Sequence, residues 1–452
     1  MSLPSRLPAI LQAVMQGQPQ ALADSHYPQW HLAPVNGLLN DPNGFCQVAG
    51  RYHLFYQWNP LACDHTYKCW GHWSSADLLH WRHEPIALMP DEEYDRNGCY
   101  SGSAVEFEGA LTLCYTGNVK FPDGGRTAWQ CLATENADGT FRKLGPVLPL
   151  PEGYTGHVRD PKVWRQDGRW YMVLGAQDVK QRGKVLLFTA SDLREWRLVG
   201  EIAGHDVNGL ANAGYMWECP DLFNVNGRSV FVFSPMELIE DTDGYADRAI
   251  CMLPEFDEKT CTMKFPENWQ LLDCGGDLYA PQTMTDADGN RISIAWLRMP
   301  EPVDGIWQGM FCLPRVVDVQ NDHIYFRVLP AIRDGFCKKT DSLVSACGEC
   351  AMIRAELKEG ESLEIGGYKI WRQSGKVCAD RTDVYPSGAK GWLHAETPQL
   401  KEGDLLEIFV DPNMIEIYAN NGEYVLSQAV YGLGETFSYE MEKKPEIYLW
   451  NE

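Results

Sequence analysis

The chain has 452 residues, 44% of them apolar and 12% aromatic, enough to bury a large core over two or three domains. A formal net charge of −23, with no basic stripe, excludes a nucleic-acid partner and means that any anionic substrate needs a local basic cluster. Fifteen cysteines, an odd number without a tight framework, point to reduced thiols rather than disulfides.

Residues 1–30 read as an N-terminal helical extension. The apolar run Leu7 to Met15 and the small residues Ala21-Leu22-Ala23 superficially suggest a secretory signal. Gln12, Gln16, Gln18 and Gln20 interrupt that stretch, and the basic segment before it is thin, so a short amphipathic helix is the better reading. No later segment offers the roughly 18 apolar residues a membrane span requires.

From residue 31 to 334 one pattern recurs: an apolar strand, a turn containing glycine, a second apolar strand. The copies start at Phe45, Ala104, Val163, Leu222 and Thr283, a spacing of 59, 59, 59 and 61 residues. Their turns carry Gly50, Gly109, Gly168, Gly227 and Gly289, so each copy reads as a β-hairpin. A third strand is expected at Ser74 to Trp81, echoed at Thr189 to Trp196. Five such units, none able to bury its faces alone, predict an all-β five-bladed propeller. Residues 335–452 lose the phase. Leu405–Val410 and Met414–Tyr418 alternate around Asp411-Pro412-Asn413, and Asn421-Gly422 marks a hairpin, which predicts a C-terminal β-sandwich. Cys347 and Cys350 form an isolated CxxC, read as thiols rather than a metal site. Cys63, His65, Cys69 and His72 match no zinc spacing, and alternation along a strand would part them.

Chemistry gathers at one phase of the repeat. Just before the unit starts lie Asn40-Asp41-Pro42-Asn43-Gly44, Tyr100-Ser101-Gly102-Ser103, Arg159-Asp160-Pro161-Lys162, Trp217-Glu218-Cys219-Pro220-Asp221 and Tyr279-Ala280-Pro281-Gln282. Equivalent positions in a propeller surround one axis. Asp41, Asp160 and Glu218 are therefore expected to face one another at the mouth of a central channel. Two carboxylates, one attacking and one donating a proton to the leaving oxygen, are what glycoside hydrolysis needs. Glu218, among Tyr215, Met216, Trp217 and Cys219, is expected to be desolvated and protonated, hence the acid. Asp41, beside Asn40, Asn43 and the Gly44 backbone, is expected to be the ionised nucleophile. Asp160, beside Arg159, is expected to stay ionised and bind sugar hydroxyls or stabilise developing positive charge.

At these residues the chain resembles glycoside hydrolase family 32, the invertase and fructan hydrolase family. Leu38-Leu39-Asn40-Asp41-Pro42-Asn43-Gly44 is similar to its sucrose-binding box, Arg159-Asp160-Pro161 to its RDP box, and Trp217-Glu218-Cys219-Pro220-Asp221 to its EC box. The resemblance implies a propeller followed by a sandwich, with Asp41 as nucleophile, Glu218 as acid/base and Asp160 as transition-state stabiliser, and retention through a covalent fructosyl-enzyme. It implies a fructose pocket lined by Asn40, Gln57, Trp70, Tyr100, Ser101, Arg159 and Tyr279, with Leu38 in the first box, and no metal or organic cofactor. Two departures stand out: Leu38-Leu39 replaces the usual Trp-Met, and Pro314-Arg315-Val316 lacks the acid that usually follows Pro-Arg.

The stretches Phe55–Cys63, Cys99–Ala104 and Tyr115–Lys120 are most similar to bacterial family members that act inside the cell on sucrose phosphorylated during uptake. That implies a cytoplasmic β-fructofuranosidase of carbohydrate metabolism whose partner is a small sugar or sugar phosphate. The phosphate, on the glucosyl leaving group, would want cations, and Lys68, Lys120 and Arg126 are the candidates. Two alternatives stay open: an invertase acting on plain sucrose or short fructans, and a sugar-binding propeller without catalysis. The sequence leaves oligomeric state open as well.

Overall fold

The computed structural model describes residues 5–451 apart from 25, 206, 208–212, 240–243, 258, 267, 342–349, 401 and 402. Cys347 of the CxxC pair lies outside the described residues. The N-terminal helix α1 spans Leu7–Ala23, with Pro8 in its first turn, where a missing N–H costs nothing. It buries Ile10 and Ala21 and leaves Leu11, Met15 and Leu22 exposed, so its outer face is less polar than an amphipathic pattern implies. Among the described residues no helix is long and apolar enough to cross a membrane.

Five sheets of mainly antiparallel strands follow. The first holds β1 (Gly37–Val48), β2 (Arg51–Asn59), β3 (Cys69–Ser75) and β4 (Trp81–Leu88) in sequential order. The second holds β5 (Cys99–Phe107), β6 (Ala110–Lys120), β7 (Arg126–Glu135) and β8 (Phe141–Leu148). The third holds β9 (Tyr154–Gln166), β10 (Arg169–Asp178), β11 (Gly183–Ala190) and β12 (Arg197–Gly204). The fourth runs through β13 (Met216–Val225), β14 (Arg228–Met236) and β15 (Ile250–Met252). A side hairpin of β16 (Glu255–Asp257) and β17 (Thr262–Lys264) precedes its last strand, β18 (Gln270–Leu271). The fifth is built on β19 (Leu278–Thr285) and β20 (Arg291–Leu297). After the short strands β21 (Trp307–Gln308) and β22 (Met310–Phe311) it is completed by β23 (Arg315–Gln320) and β24 (His323–Val328).

The first strands are the inner ones. β1 packs on β5, β5 on β9, β9 on β13, β13 on β19 and β19 on β1, and β21 pairs in parallel with β1, tying the fifth unit to the first. Four of the five hairpins turn on two consecutive left-handed residues, Ala49-Gly50, Glu108-Gly109, Asp167-Gly168 and Asn226-Gly227. That double positive φ is the tight turn whose twist matches the strands it joins. It repeats because the same turn geometry recurs at the same phase.

The segment read as a third strand is in fact the turn between the third and fourth strands. Asp77 Oδ1 accepts from the amides of Leu79 and His80, and the Trp81 indole donates to Leu78 O at 3.1 Å. In the third sheet Asp192 Oδ1 accepts from Arg194 and Glu195, and Trp196 donates to Leu193 O at 2.9 Å. The shared Asp-Leu-x-x-Trp is a turn signature: the carboxylate competes for backbone amides and stops the strand.

After the helical turn Pro330–Gly335 the chain forms two more sheets. One is six-stranded (Lys338–Thr340, Glu446–Leu449, Ala351–Glu356, Leu405–Asp411, Met414–Ala419, Tyr424–Ala429). The other is five-stranded (His394–Glu396, Lys376–Asp380, Tyr368–Gln373, Ser362–Ile365, Phe437–Glu440). Ile353, Ile408 and Ile417 of the first share a core with Ile365, Tyr368 and Ile370 of the second. Buried ion pairs tie this unit to the first. Arg315 bonds to Asp273 at 3.0 Å and Glu416 at 2.9 Å, Arg381 holds Asp277, and His31 bridges Asp411 and Glu416 at 2.8 and 2.9 Å. Arg315, the residue without its usual acidic neighbour in sequence, thus finds two acids in space.

Candidate active site

All five inner strands break register at one level: β1 between Leu39 and Pro42, β5 between Tyr100 and Gly102, β9 between Arg159 and Lys162, β13 between Glu218 and Asp221, β19 between Tyr279 and Gln282. These are β-bulges, which re-aim a side chain at the expense of ladder hydrogen bonds. The motifs expected just ahead of the strands lie inside them, at these bulges. Asp160, Cys219 and Ala280 sit at φ 68°, 48° and 50°, a left-handed backbone that non-glycine residues adopt when their surroundings impose it.

The bulges bring the three acids together. Asp41 Oδ2 accepts from Ser101 Oγ at 2.5 Å and Oδ1 from Asn40 Nδ2 at 3.1 Å. Asn40 also donates to Gln57 Oε1 at 2.9 Å and accepts from Lys68 Nζ at 2.7 Å. Asp160 Oδ2 accepts from the backbone amide of Cys219 at 3.0 Å, which places it against the residue after Glu218. Glu218 Oε1 accepts from Arg159 Nε at 2.9 Å, and Oε2 from the Tyr279 hydroxyl at 2.7 Å. Tyr279 also donates to Ser234 O at 3.2 Å.

Electrostatics differ from the sequence expectation. Asp41 is held above the usual carboxylate range by burial and by Glu218, which outweigh the opposing Ser101, Lys68 and Asn40. Burial pushes Asp160 up to about 7. The opposing Arg159 does not restore it, because Glu218 and Asp41 add to the burial. The expectation of an Asp160 kept ionised by Arg159 is therefore corrected: the Arg159 guanidinium is spent on Glu218. The apolar cage expected around Glu218 is also absent. Met216 and Trp217 turn into the core, Trp217 stacking on Phe233, while the Glu218 side chain keeps 20% exposure between a guanidinium and a phenol. Strand neighbours alternate faces, so adjacency in sequence misreports environment in space. Asp41 and Asp160 are thus both raised, each by burial first and by the neighbouring Glu218.

Of the other expected site residues, Ser101, Asn40, Gln57, Arg159 and Tyr279 join this network directly. Trp70 is fully buried and donates to the Tyr100 carbonyl at 3.1 Å, a supporting position beneath Tyr100. Leu38 is buried and pairs with Asn59 and Gln308. Lys68 is buried rather than loop-exposed. Its ammonium also meets His65 Nδ1 at 2.7 Å, and burial lowers it to about 8 against the pull of Asp41 and Glu218. Lys120 is exposed and Arg126 half-buried, opposite one another in the β6–β7 register. Cys63, His65, Cys69 and His72 do not gather among the described residues.

Two residues were not anticipated. Trp296 packs against the cluster of Cys219, Tyr279 and Ala280 and makes a T-shaped contact with the His65 ring, centroids 6.0 Å apart. His157 lies between Arg159 and Arg126, its Nδ1 2.9 Å and 3.2 Å from their NH1 atoms. Strand alternation puts 157 on the face of 159, a signal present in the sequence. Nothing in the sequence links it to Arg126, 31 positions away.

Comparison with known proteins gives one result throughout. Residues 31–328 match the glycosyl hydrolases family 32 N-terminal domain and residues 342–451 the family's C-terminal domain. A sucrose-6-phosphate hydrolase of Klebsiella pneumoniae is 62% identical, covering 95% of this chain and 94% of its own. A raffinose invertase of Escherichia coli is 35% identical, covering 94% and 93%. The solved structure of a sucrose-6-phosphate hydrolase from Lactobacillus gasseri, 27% identical, superposes with a TM-score of 0.88 over 98% of this chain and 96% of that one.

Proposed function

The chain belongs to glycosyl hydrolase family 32, and from that premise we propose that it is a β-fructofuranosidase that hydrolyses sucrose 6-phosphate to glucose 6-phosphate and fructose. The observation that carries the chemistry is the convergence of Asp41, Asp160 and Glu218, from three different sheets, on one polar cluster with Arg159 and Tyr279. In this reading Asp41 attacks the anomeric carbon of the fructosyl group while Glu218 gives its proton to the departing glucosyl oxygen. Glu218, now a base, takes a proton from water, and the hydroxide formed displaces Asp41 from the covalent fructosyl-enzyme. Asp160 binds fructose hydroxyls and, as it ionises, supports the oxocarbenium-like transition state. Asn40, Gln57, Ser101, Tyr100 and Tyr279 surround the fructosyl ring, with Leu38 and Trp70 as supports.

The architecture that fits these contacts is a closed five-bladed propeller over 31–334, a sandwich over 335–452, and a helical extension over 1–30. The inner strands touch in cyclic succession, and β21 adds to β1. The phosphorylated substrate rests on the 62% identical relative named for it, with Lys120 and Arg126, opposite one another in the β6–β7 register, as the candidate cations. A substrate phosphorylated on uptake places the enzyme in the cytoplasm. A second reading, plain sucrose or another unphosphorylated fructoside, is favoured by the raffinose invertase at 35% identity. Product analysis with sucrose 6-phosphate and sucrose side by side separates them: kcat/KM at least about tenfold higher on the phosphorylated sugar is expected, corresponding to about one charge-assisted contact. Equal values would favour the second reading.

A further inference from the structure

We infer that Arg126 and His157 form a two-point clamp for the phosphate monoester of the leaving group. The inference rests on the reading of sucrose 6-phosphate as substrate.

His157 Nδ1 accepts from Arg159 NH1 at 2.9 Å, which fixes the neutral ring's hydrogen on Nε2. Burial and the two guanidiniums hold the imidazole down to about 4, so it is uncharged at neutral pH. Arg126 NH1 lies 3.2 Å from Nδ1 and 3.4 Å from Nε2, competing for a lone pair already taken. A guanidinium has five N–H donors. Among the described residues the Arg126 guanidinium meets only the His157 ring and no carboxylate, in a chain of net charge −23. Among the described residues none accepts from its remaining donors or from the Nε2–H of His157, which leaves them for an acceptor from outside.

Position selects the acceptor. Arg159 bonds at once to His157 and to Glu218 Oε1, so the pair sits on the acid/base side, where the leaving group departs. Lys120, exposed and opposite the half-buried Arg126 in register, adds a second cation on the same face. The geometry is guarded by Gly156: a Cβ there would run into Arg126 Cγ and the Arg126 carbonyl oxygen. A planar fork beside an N–H donor suits the several oxygens of a phosphate monoester better than a single hydroxyl.

The test is kcat/KM on sucrose 6-phosphate divided by kcat/KM on sucrose, for wild type, Arg126→Gln and Gly156→Ala. In Arg126→Gln the ratio is expected to fall about 30-fold, mainly through KM on the phosphorylated sugar. Gly156→Ala should move it in the same direction. If Arg126→Gln does not fold, Arg126→Lys, which keeps a charge but loses the fork, should lower the ratio about fivefold. A ratio within about twofold of wild type in these variants overturns the clamp while a wild-type preference for the phosphorylated sugar leaves the substrate reading standing. A wild type without that preference overturns the substrate reading and the clamp together.

Discussion

Asp160 carries a cost that the rest of the molecule absorbs. Its folded-state value rises from 3.8 to about 7 because it is buried beside two other carboxylates, so the folded form holds a proton that the unfolded chain releases. Stability from this residue is therefore full below 3.8 and lost as pH rises through about 7. Asp160→Asn keeps an oxygen for the Cys219 amide but removes the ionisation. It should abolish turnover while raising Tm by a few degrees at pH 8 and hardly at all at pH 4; thermal melts of both proteins at the two pH values check this. Glu218→Gln should reduce sucrose 6-phosphate hydrolysis by about 100-fold or more yet spare fructosides with good leaving groups, for which acid assistance is unnecessary; undiminished sucrose 6-phosphate turnover would remove Glu218 from the role. The three acids were legible in the sequence because each sits at the same phase of the repeat. Their protonation was not, because it depends on which partner Arg159 chooses, and that partner comes from another sheet.

At the scale of elements, five bulges at one level do what a straight strand could not. They turn residues 41, 160 and 218 toward a common space while the flanking side chains stay in the core. Cys219 at φ 48° is where the β13 bulge concentrates its strain, with its amide on Asp160 and its thiol buried. A β-branched residue tolerates that backbone poorly, so Cys219→Val should lower the unfolding free energy by roughly 1–3 kcal/mol and depress kcat. Cys219→Gly should keep the fold; chemical denaturation of the pair distinguishes them. The hairpins were readable because glycine is nearly obligatory at the second left-handed turn position, as at Gly50 and Gly168. The bulges were not: Asp-Pro and Glu-Cys-Pro look like turns ahead of a strand, and only pairing with the next strand reveals an interruption within one. The Asp-Leu-x-x-Trp echo was seen but misplaced, since leucine and tryptophan also suit a strand.

Over the whole molecule, the C-terminal sheets are held to the five-sheet unit by buried charge. His31 illustrates the linkage. Asp411 and Glu416 overcome the effect of burial and raise it from 6.5 to about 9, while Glu416 is held down to about 2 against burial by Arg315 and His31. The His31 contribution is complete below pH 6.5 and disappears as pH rises through 9. Unfolding midpoints should fall between pH 7 and 9.5, and His31→Gln, less stable at pH 7, should flatten that slope; a slope unchanged in the variant would assign it elsewhere. The −23 charge gave no hint of this seam, because its partners are about 380 residues apart in sequence.

The central claim is that Asp41 forms a bond to fructose which Glu218 then helps to break. It is tested most directly by mixing the Glu218→Gln protein with an activated fructoside and mapping the adduct by peptide mass spectrometry. The account predicts one anhydrofructose unit on the peptide containing Asp41, absent in the Asp41→Asn, Glu218→Gln double variant. An adduct on another residue, or activated-substrate turnover that persists undiminished without Asp41, would contradict it.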